Sequence, residues 1–219
     1  MKQRYVIKTE QKGSTLLEVL VSVFVLGFGL LALVSMQVKT VMTAREAENQ
    51  TIVAQATDTL LEGMMMNPNL TLSTLSSGDE MMTRSFESYT NSYSVIKAAG
   101  ASCNQDQSMI SGNVTNISTG IDKDTIAAAQ LCTFVKRISQ IPNAAIVDWK
   151  MCKETSADSA KVPQLNTAGT AIECGGSGEN TVIKVMWTQE VEDIEKYQNS
   201  GLKLKDNAVL YGYQATLGQ

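Results

Sequence analysis

From Val19 to Val38 the chain runs for 20 residues, VLVSVFVLGFGLLALVSMQV, without one charged side chain. At about 1.5 Å of rise per residue, about 20 helical residues cross a hydrocarbon core of about 30 Å. A helix that is apolar on every face has no side to offer water, so a membrane or other apolar helices must surround it. Lys2, Arg4, Lys8 and Lys12 precede the run against a single acid, Glu10. That basic flank is expected to stay cytoplasmic and the bulk of the chain to lie on the other side. An ordinary secretory signal fits poorly. Its apolar region would be about 7–15 residues long and would end in a small-x-small site, whereas this run leads into Lys39-Thr40-Val41-Met42.

The remainder narrows the function classes. The 219 residues include no histidine, which removes His-based triads, His metal sites and the usual near-neutral general base. No nucleophile–base pair can be assembled, and the expectation is a protein that is not an enzyme and holds neither metal nor cofactor. The sequence pI is about 5.0. Four of the 18 basic and one of the 22 acidic residues precede Ser14, so the chain from Ser14 carries 14 and 21. That excess of acid repels phosphate, and no nucleic-acid partner is expected. Lys136-Arg137 with Lys150 and Lys153 is the one basic grouping, of the kind that usually makes a solvated face.

Glu18 sets the apolar run apart from a plain anchor. A carboxylate at the edge of a membrane helix is costly and marks function. It stands five residues after Gly13 in K-G-S-T-L-L-E-V-L. This string resembles the type IV prepilin signal, in which a dedicated peptidase cuts after the glycine and methylates the new N-terminus. The resemblance implies a leader of 1–13 ending at Gly13, a methylated N-terminal Ser14, and Glu18 as the glutamate of subunit registration. The family's usual Phe at the first mature position is Ser14 here. The physics agrees with the arrangement, because a buried charge needs a partner and the new amino group of a neighbouring subunit supplies one.

No proline precedes Pro68, and helical periodicity continues through 39–66. Met42, Ile52, Val53, Ala56, Leu60 and Met64 recur mostly three, four or seven apart. The expected organisation is a membrane or filament-core helix over 14–38, an amphipathic continuation over 39–66 that needs a cover, and a head over 67–219. A helix from Thr15 to Met66 would be roughly 78 Å long. Gly27 and Gly29 allow either close helix packing or local melting in a filament. Gly63 to Asn69, with Pro68, ends the helix. Asn69–Glu80 reads as a loop or short irregular piece, and a strand is expected from Ser88 with Tyr89, Asn91, Tyr93 and Val95 on one face. Ala99–Gly120 reads as polar loop. A second helix is expected over Asp122–Gln140, capped by Asp122 or Asp124 and ending before Pro142. Its apolar face is Ile126, Ala129, Phe134, Ile138 and Ile141.

Three later strands alternate. In Ala145–Met151, Ala145, Val147 and Trp149 oppose Ala144, Asp148 and Lys150. In Thr181–Gln189, Ile183, Val185 and Trp187 oppose Val182, Lys184 and Met186. In Ala208–Thr216, Val209, Tyr211 and Tyr213 share a face. The fold class is α+β, with a small antiparallel sheet laid over the second half of the long helix.

Cys103, Cys132, Cys152 and Cys174 contain no C-x-x-C pair, and beyond a cytoplasmic membrane disulfides are expected. Four cysteines allow three connectivities. Pairing of neighbours, Cys103–Cys132 and Cys152–Cys174, is the expectation; closing a loop of about 20 residues stabilises by roughly 3 kcal/mol. Other motifs carry little. Asn69-Leu-Thr, Asn113-Val-Thr and Asn116-Ile-Ser match a glycosylation sequon by chance. Glu190, Glu192, Asp193 and Glu195 lack the spacing of a calcium loop. Met64-Met65-Met66 suits helix-end packing better than copper.

Leu16–Gln37 followed by L-L-E-G-M-M-M-N-P at Leu60–Pro68 is similar to the PilV-type minor pilins, including the branch called PilI. Asp124–Pro142 with Cys132, and V-I-K-V-M-W-T at Val182–Thr188, also look similar. The likeness covers about the first 68 residues and is patchy beyond. It implies a minor pilin that primes type IV pilus assembly at the inner membrane, is incorporated at or near the tip, and counteracts retraction. Implied partners are sibling minor pilins, the major pilin, the prepilin peptidase and the inner-membrane assembly platform. Implied location is the inner membrane, N-terminus cytoplasmic and head periplasmic, then the fibre at the cell surface. A type II secretion pseudopilin and a DNA-uptake or adhesive minor pilin are the alternatives.

Overall fold

The structure, a computed structural model, describes residues 14–74, 76–100, 103, 122–190, 204–205 and 208–218. The expected 1–13 leader with Gly13, most of the expected 99–120 loop with two of the sequons, and Glu192, Asp193 and Glu195 lie outside the described residues. Contacts divide the chain into two compact units, Met1–Arg45 and Glu46–Gln219. Helix α1, Ser14–Met66, contributes to both.

In the larger unit, α1 is followed by β1 (Asn69–Thr74), β2 (Glu80–Ser85), α2 (Glu87–Ala99), α3 (Lys123–Ser139), β3 (Ala144–Glu154), β4 (Asn180–Glu190), β5 (Leu204–Lys205) and β6 (Ala208–Leu217). β1 and β2 form a separate antiparallel hairpin, and the other strands an antiparallel sheet in the order β3-β4-β6-β5. The helix stripe read from the sequence is the one that is buried: Val53, Ala56, Leu60 and Met64 enter a core with Ala127, Leu131, Phe134 and Ile138 of α3. Ile183, Val185, Trp187, Val209 and Tyr211 close that core from the sheet. Each such side chain, fully buried, stabilises by roughly 1.5–3 kcal/mol. A long helix packed with small antiparallel sheets makes this an α+β fold of the type IV pilin-like kind.

Capping and crowding set the helix contacts. Asp122 caps α3, accepting from the Thr125 amide at 2.6 Å. Hydrogen bonds from Thr125 hold its carboxyl below the usual carboxylate range. Lys136 and Arg137 in the last turn of α3 suit the negative end of its dipole. Gly63 is where α1 meets α3: a Cβ there would stand 2.7 Å from the Gln130 carboxamide. The Tyr89 hydroxyl donates to the Gly63 carbonyl at 3.0 Å and contacts Gln130 as well, so Gln130 is not free to swing away.

Four local expectations are corrected. The buried face of α3 is Ala127, Leu131, Phe134, Val135 and Ile138, while Ile126 and Ala129, expected on it, are only half-buried. Residues 69–85 are a hairpin, not a loop: N-L-T-L-S-T pairs with Glu80–Ser85, and Gly78 at φ 85° serves the turn. Nearly every residue of this hairpin is exposed, so no core-facing alternation betrays it. Residues 87–99 are helix α2, not a strand. Tyr89, Tyr93 and Ile96 fall at i, i+4 and i+7 on the packed side, while Asn91 and Val95, expected on the same face, are exposed. In β3 the ladder steps from Ile146↔Trp187 to Asp148↔Met186, leaving Val147 as a bulge. Val147 therefore joins the outer face, beside Met186 and Leu210, while Trp149 stays on the inner face. The bulge breaks the shared face expected for Ala145, Val147 and Trp149.

Residues 155–179, between β3 and β4, cover that outer face. Ile172 is 1% exposed over Met186 and Leu210. The Ile172 amide donates to Asp148 Oδ2 at 2.7 Å, Lys150 Nζ donates to the Ile172 carbonyl at 3.2 Å, and Gln214 Nε2 donates to the Ser159 carbonyl at 2.8 Å. At the segment's start Lys161 pairs with Asp158 at 2.8 Å. Hydrogen bonds from Lys161, then Thr155, hold the Asp158 carboxyl down at about 2.

Two outcomes follow. Gly63→Leu should destabilise residues 46–219 by about 1–3 kcal/mol in chemical denaturation, by overpacking against Gln130. Gly63→Ala should be near neutral, because about 1 kcal/mol of helix propensity offsets the displacement of Gln130. For Asp158, the folded carboxyl lies below its ordinary 3.8. Its contacts are therefore fully present above that pH and are lost as pH falls through about 2. An NMR titration should place the Asp158 midpoint near 2, and Lys161→Ala should move it upward.

Candidate functional site

The first unit offers a surface rather than a cleft. From Leu16 to Val41 the large apolar side chains of α1 stand open, Leu16 at 75% and Leu31 at 66% exposure. The helix is long and apolar enough to cross a membrane. Its few hydroxyls satisfy themselves: Ser22 Oγ donates to the Glu18 carbonyl at 2.7 Å, and Ser35 Oγ to the Leu31 carbonyl at 3.0 Å. Internal satisfaction of that kind is what an apolar surrounding requires. Nothing stands within 4 Å of a Cβ built at Gly27 or Gly29, which leaves a notch where another helix can approach closely.

Glu18 interrupts this surface one turn into α1, four residues beyond Ser14 or about 6 Å along the axis. Its side chain is exposed, and no basic side chain pairs with it among the described residues. Ser14 opens α1, while Gly13 lies outside the described residues. If an apolar surrounding covers this helix, the Glu18 carboxylate enters it without an intrachain cation from the described residues. It then needs a positive group from elsewhere.

The cysteines pair as neighbours. Cys103–Cys132 ties the chain after α2 to α3 with a Cα separation of 5.9 Å. Cys152–Cys174 ties β3 to the end of the covering segment at 5.5 Å. Cys152, Cys174 and Glu154 bring their ligand atoms within 4.8 Å of one another, but the two sulfurs are bonded to each other and leave Glu154 as the sole donor. The basic grouping is only partly engaged, with Arg137 and Lys153 exposed. Arg137 donates to Thr59 at 3.3 Å, and Lys150 to the Ile172 carbonyl. Met64 is fully buried in the core while Met66 is 86% exposed, so the methionine triplet does not converge.

Sequence reasoning missed the buried polar groups of the head. Asn49 Nδ2 donates to Gln189 Oε1 at 3.0 Å and to the Pro142 carbonyl at 3.2 Å. Lys97 reaches across the edge strand β3 to Asp148 at 2.9 Å, to the Trp149 carbonyl at 3.0 Å and to the Tyr93 hydroxyl at 2.8 Å. Burial lowers the Lys97 pKa, but its bonds to Tyr93 and Asp148 outweigh this and leave it raised. Lys184 and Glu154 form a buried pair at 2.6 Å. The available signals were a lone Asn four residues before Val53 on an apolar stripe, and a lone Lys inside V-I-K-V-M-W.

Residues 8–34 match the prokaryotic N-terminal methylation motif. No curated protein and no solved structure matches the chain. The matched stretch contains Gly13, Ser14 and Glu18 and ends within the apolar run, well short of the head. The chain thus carries a prepilin-like signal, which supports a type IV pilin or pseudopilin in general, ahead of a type IV pilin-like α+β fold.

Proposed function

We propose that this chain is a minor pilin that primes type IV pilus assembly. A prepilin peptidase removes residues 1–13, cutting between Gly13 and Ser14, and methylates Ser14. The 14–38 helix holds the subunit in the inner membrane with the head on the periplasmic side, then passes into the filament core at or near the tip. There the Glu18 carboxylate pairs with the N-terminal amine of a neighbouring subunit and sets axial register. Sibling minor pilins and the major pilin are its partners, on the inner-membrane assembly platform, and assembly so primed outruns retraction.

The observation that carries this reading is an apolar helix surface, open over Leu16–Val41, with one carboxylate that no described residue pairs, inside a methylation motif. Removing that carboxylate removes the electrostatic reason for one register over another. The likeness of Leu60–Pro68 to the PilV-type minor pilins favours a pilus over a secretion system. The excess of acidic over basic residues from Ser14 onward speaks against a DNA-binding role.

Deleting the gene in a piliated strain should abolish or greatly reduce surface pili, counted by shearing and electron microscopy. Restoring the chain as Glu18→Gln should leave piliation low although the protein reaches the membrane, because a neutral side chain cannot neutralise the incoming amine. Normal piliation in the deletion strain would overturn the priming role; normal piliation together with blocked enzyme secretion would identify a pseudopilin instead.

A further inference from the structure

The outer face of the sheet holds a fully buried ion pair that assembly through α1 does not use. Lys184 Nζ meets Glu154 Oε1 at 2.6 Å with side chains 5% and 0% exposed. The same oxygen accepts from the Gly175 amide at 2.7 Å, and Lys184 reaches the Glu173 carbonyl at 3.5 Å. Glu154 Oε2 is buried with no hydrogen-bond partner among the described residues. Two of these contacts come from residues on either side of Cys174, whose bond to Cys152 fastens the covering segment to β3. A buried pair of this kind stands only while water is kept out, since its attraction barely offsets the loss of hydration. The segment that keeps water out is therefore also the one the disulfide closes.

We propose that residues 155–179 form a redox-conditioned seal: the Cys152–Cys174 bond holds the segment down over the Lys184–Glu154 pair, and reducing that bond opens it. The two disulfides differ in access. Cys103 and Cys132 are 3% and 0% exposed, and Cys152 is 2% exposed, whereas Cys174 is the least buried of the four. A dithiol reductant attacks through its thiolate at the Cys174 sulfur, forming a mixed disulfide and releasing Cys152 as a thiolate that takes up a proton. The reductant's second thiol then displaces Cys174, so the bond is reduced to two thiols while the dithiol is oxidised to a disulfide. With the tether gone, water solvates Lys184 and Glu154 separately, and that solvation favours the open segment. The pair thus makes closure depend on the disulfide more strongly than an apolar face would. A head of this design seals only where disulfides form, on the far side of the cytoplasmic membrane.

The test is amine acetylation of the full chain in detergent, read residue by residue by mass spectrometry. In the oxidised chain Lys184 should react about a hundredfold more slowly than Lys161, which is 70% exposed. In Cys152→Ser/Cys174→Ser, and in the folded parent treated briefly with dithiothreitol, Lys184 should react about tenfold faster than in the oxidised chain. The Leu131 amide in α3 should keep its hydrogen-exchange protection throughout. Lys184 protection unchanged by loss of the bond would overturn the seal, and so would loss of Leu131 protection in step with Lys184, since the whole core would then be opening. The Ile172 amide reads the role of the pair. Breaking the bond should speed its exchange about tenfold with Glu154 and Lys184 present, but less than about threefold in Glu154→Leu/Lys184→Met. An equal acceleration in both backgrounds would show that the disulfide acts alone and would remove the coupling.

Discussion

The stretch of α1 from Leu16 to Val41 cannot be left in water. Its apolar side chains stand open on every side, and at about 25 cal/mol per Å² their hydration is a standing cost that lipid or other helices remove. That same cover makes Glu18 decisive. In water the carboxylate costs nothing; in an apolar surrounding it must be neutralised or paired. In the assembly we propose, apolar contact, which has no preferred register, draws such helices together, and the Glu18 charge, which has one, holds them there.

The head solves a different problem. From Glu46 onward α1 is apolar on one stripe only, and α3 and the inner face of the sheet cover it. Its outer face is closed by a loop segment rather than by another layer of helix. Asp148, Lys150 and Glu154 of the edge strand β3 bond to the segment's backbone, as do Lys184 of β4 and Gln214 of β6. Breaking a buried pair such as Lys184–Glu154 by removing one partner typically costs about 3–5 kcal/mol. That is a large share of the stability of a domain this size.

Much of this was legible in the sequence, for identifiable reasons. Beyond Glu46, α1 buries the stripe that its apolar residues mark, and α3 and β4 are elements of the expected type. But α3 buries Ala127, Leu131 and Val135 where Ile126 and Ala129 were expected, and β4 is buried on both faces. Asp122 caps α3 because a short acceptor at that position is the cheapest way to satisfy the Thr125 amide. The hairpin at 69–85 was missed because both faces are exposed, and burial, the source of the signal, is absent. α2 was misread because a short segment with Tyr at 89 and 93 satisfies period two as well as period four; Ile96 decides it. Val147 could not be placed because a bulge is a property of the pairing, set jointly by β3 and β4. The Lys184–Glu154 pair joins residues thirty apart in sequence, and the pairing of β3 with β4 brings them onto one face.

The claim everything else depends on is that the residues before Ser14 are a leader and the helix behind them an assembly element. It is tested most directly by intact-mass measurement and N-terminal sequencing of the full chain, expressed with and without a prepilin peptidase. The account predicts that the peptidase removes Met1–Gly13 and leaves Ser14 at the N-terminus carrying one added methyl group. A chain that keeps its full mass beside an active peptidase would contradict it, and would reduce Glu18 to an acid at the edge of a membrane anchor.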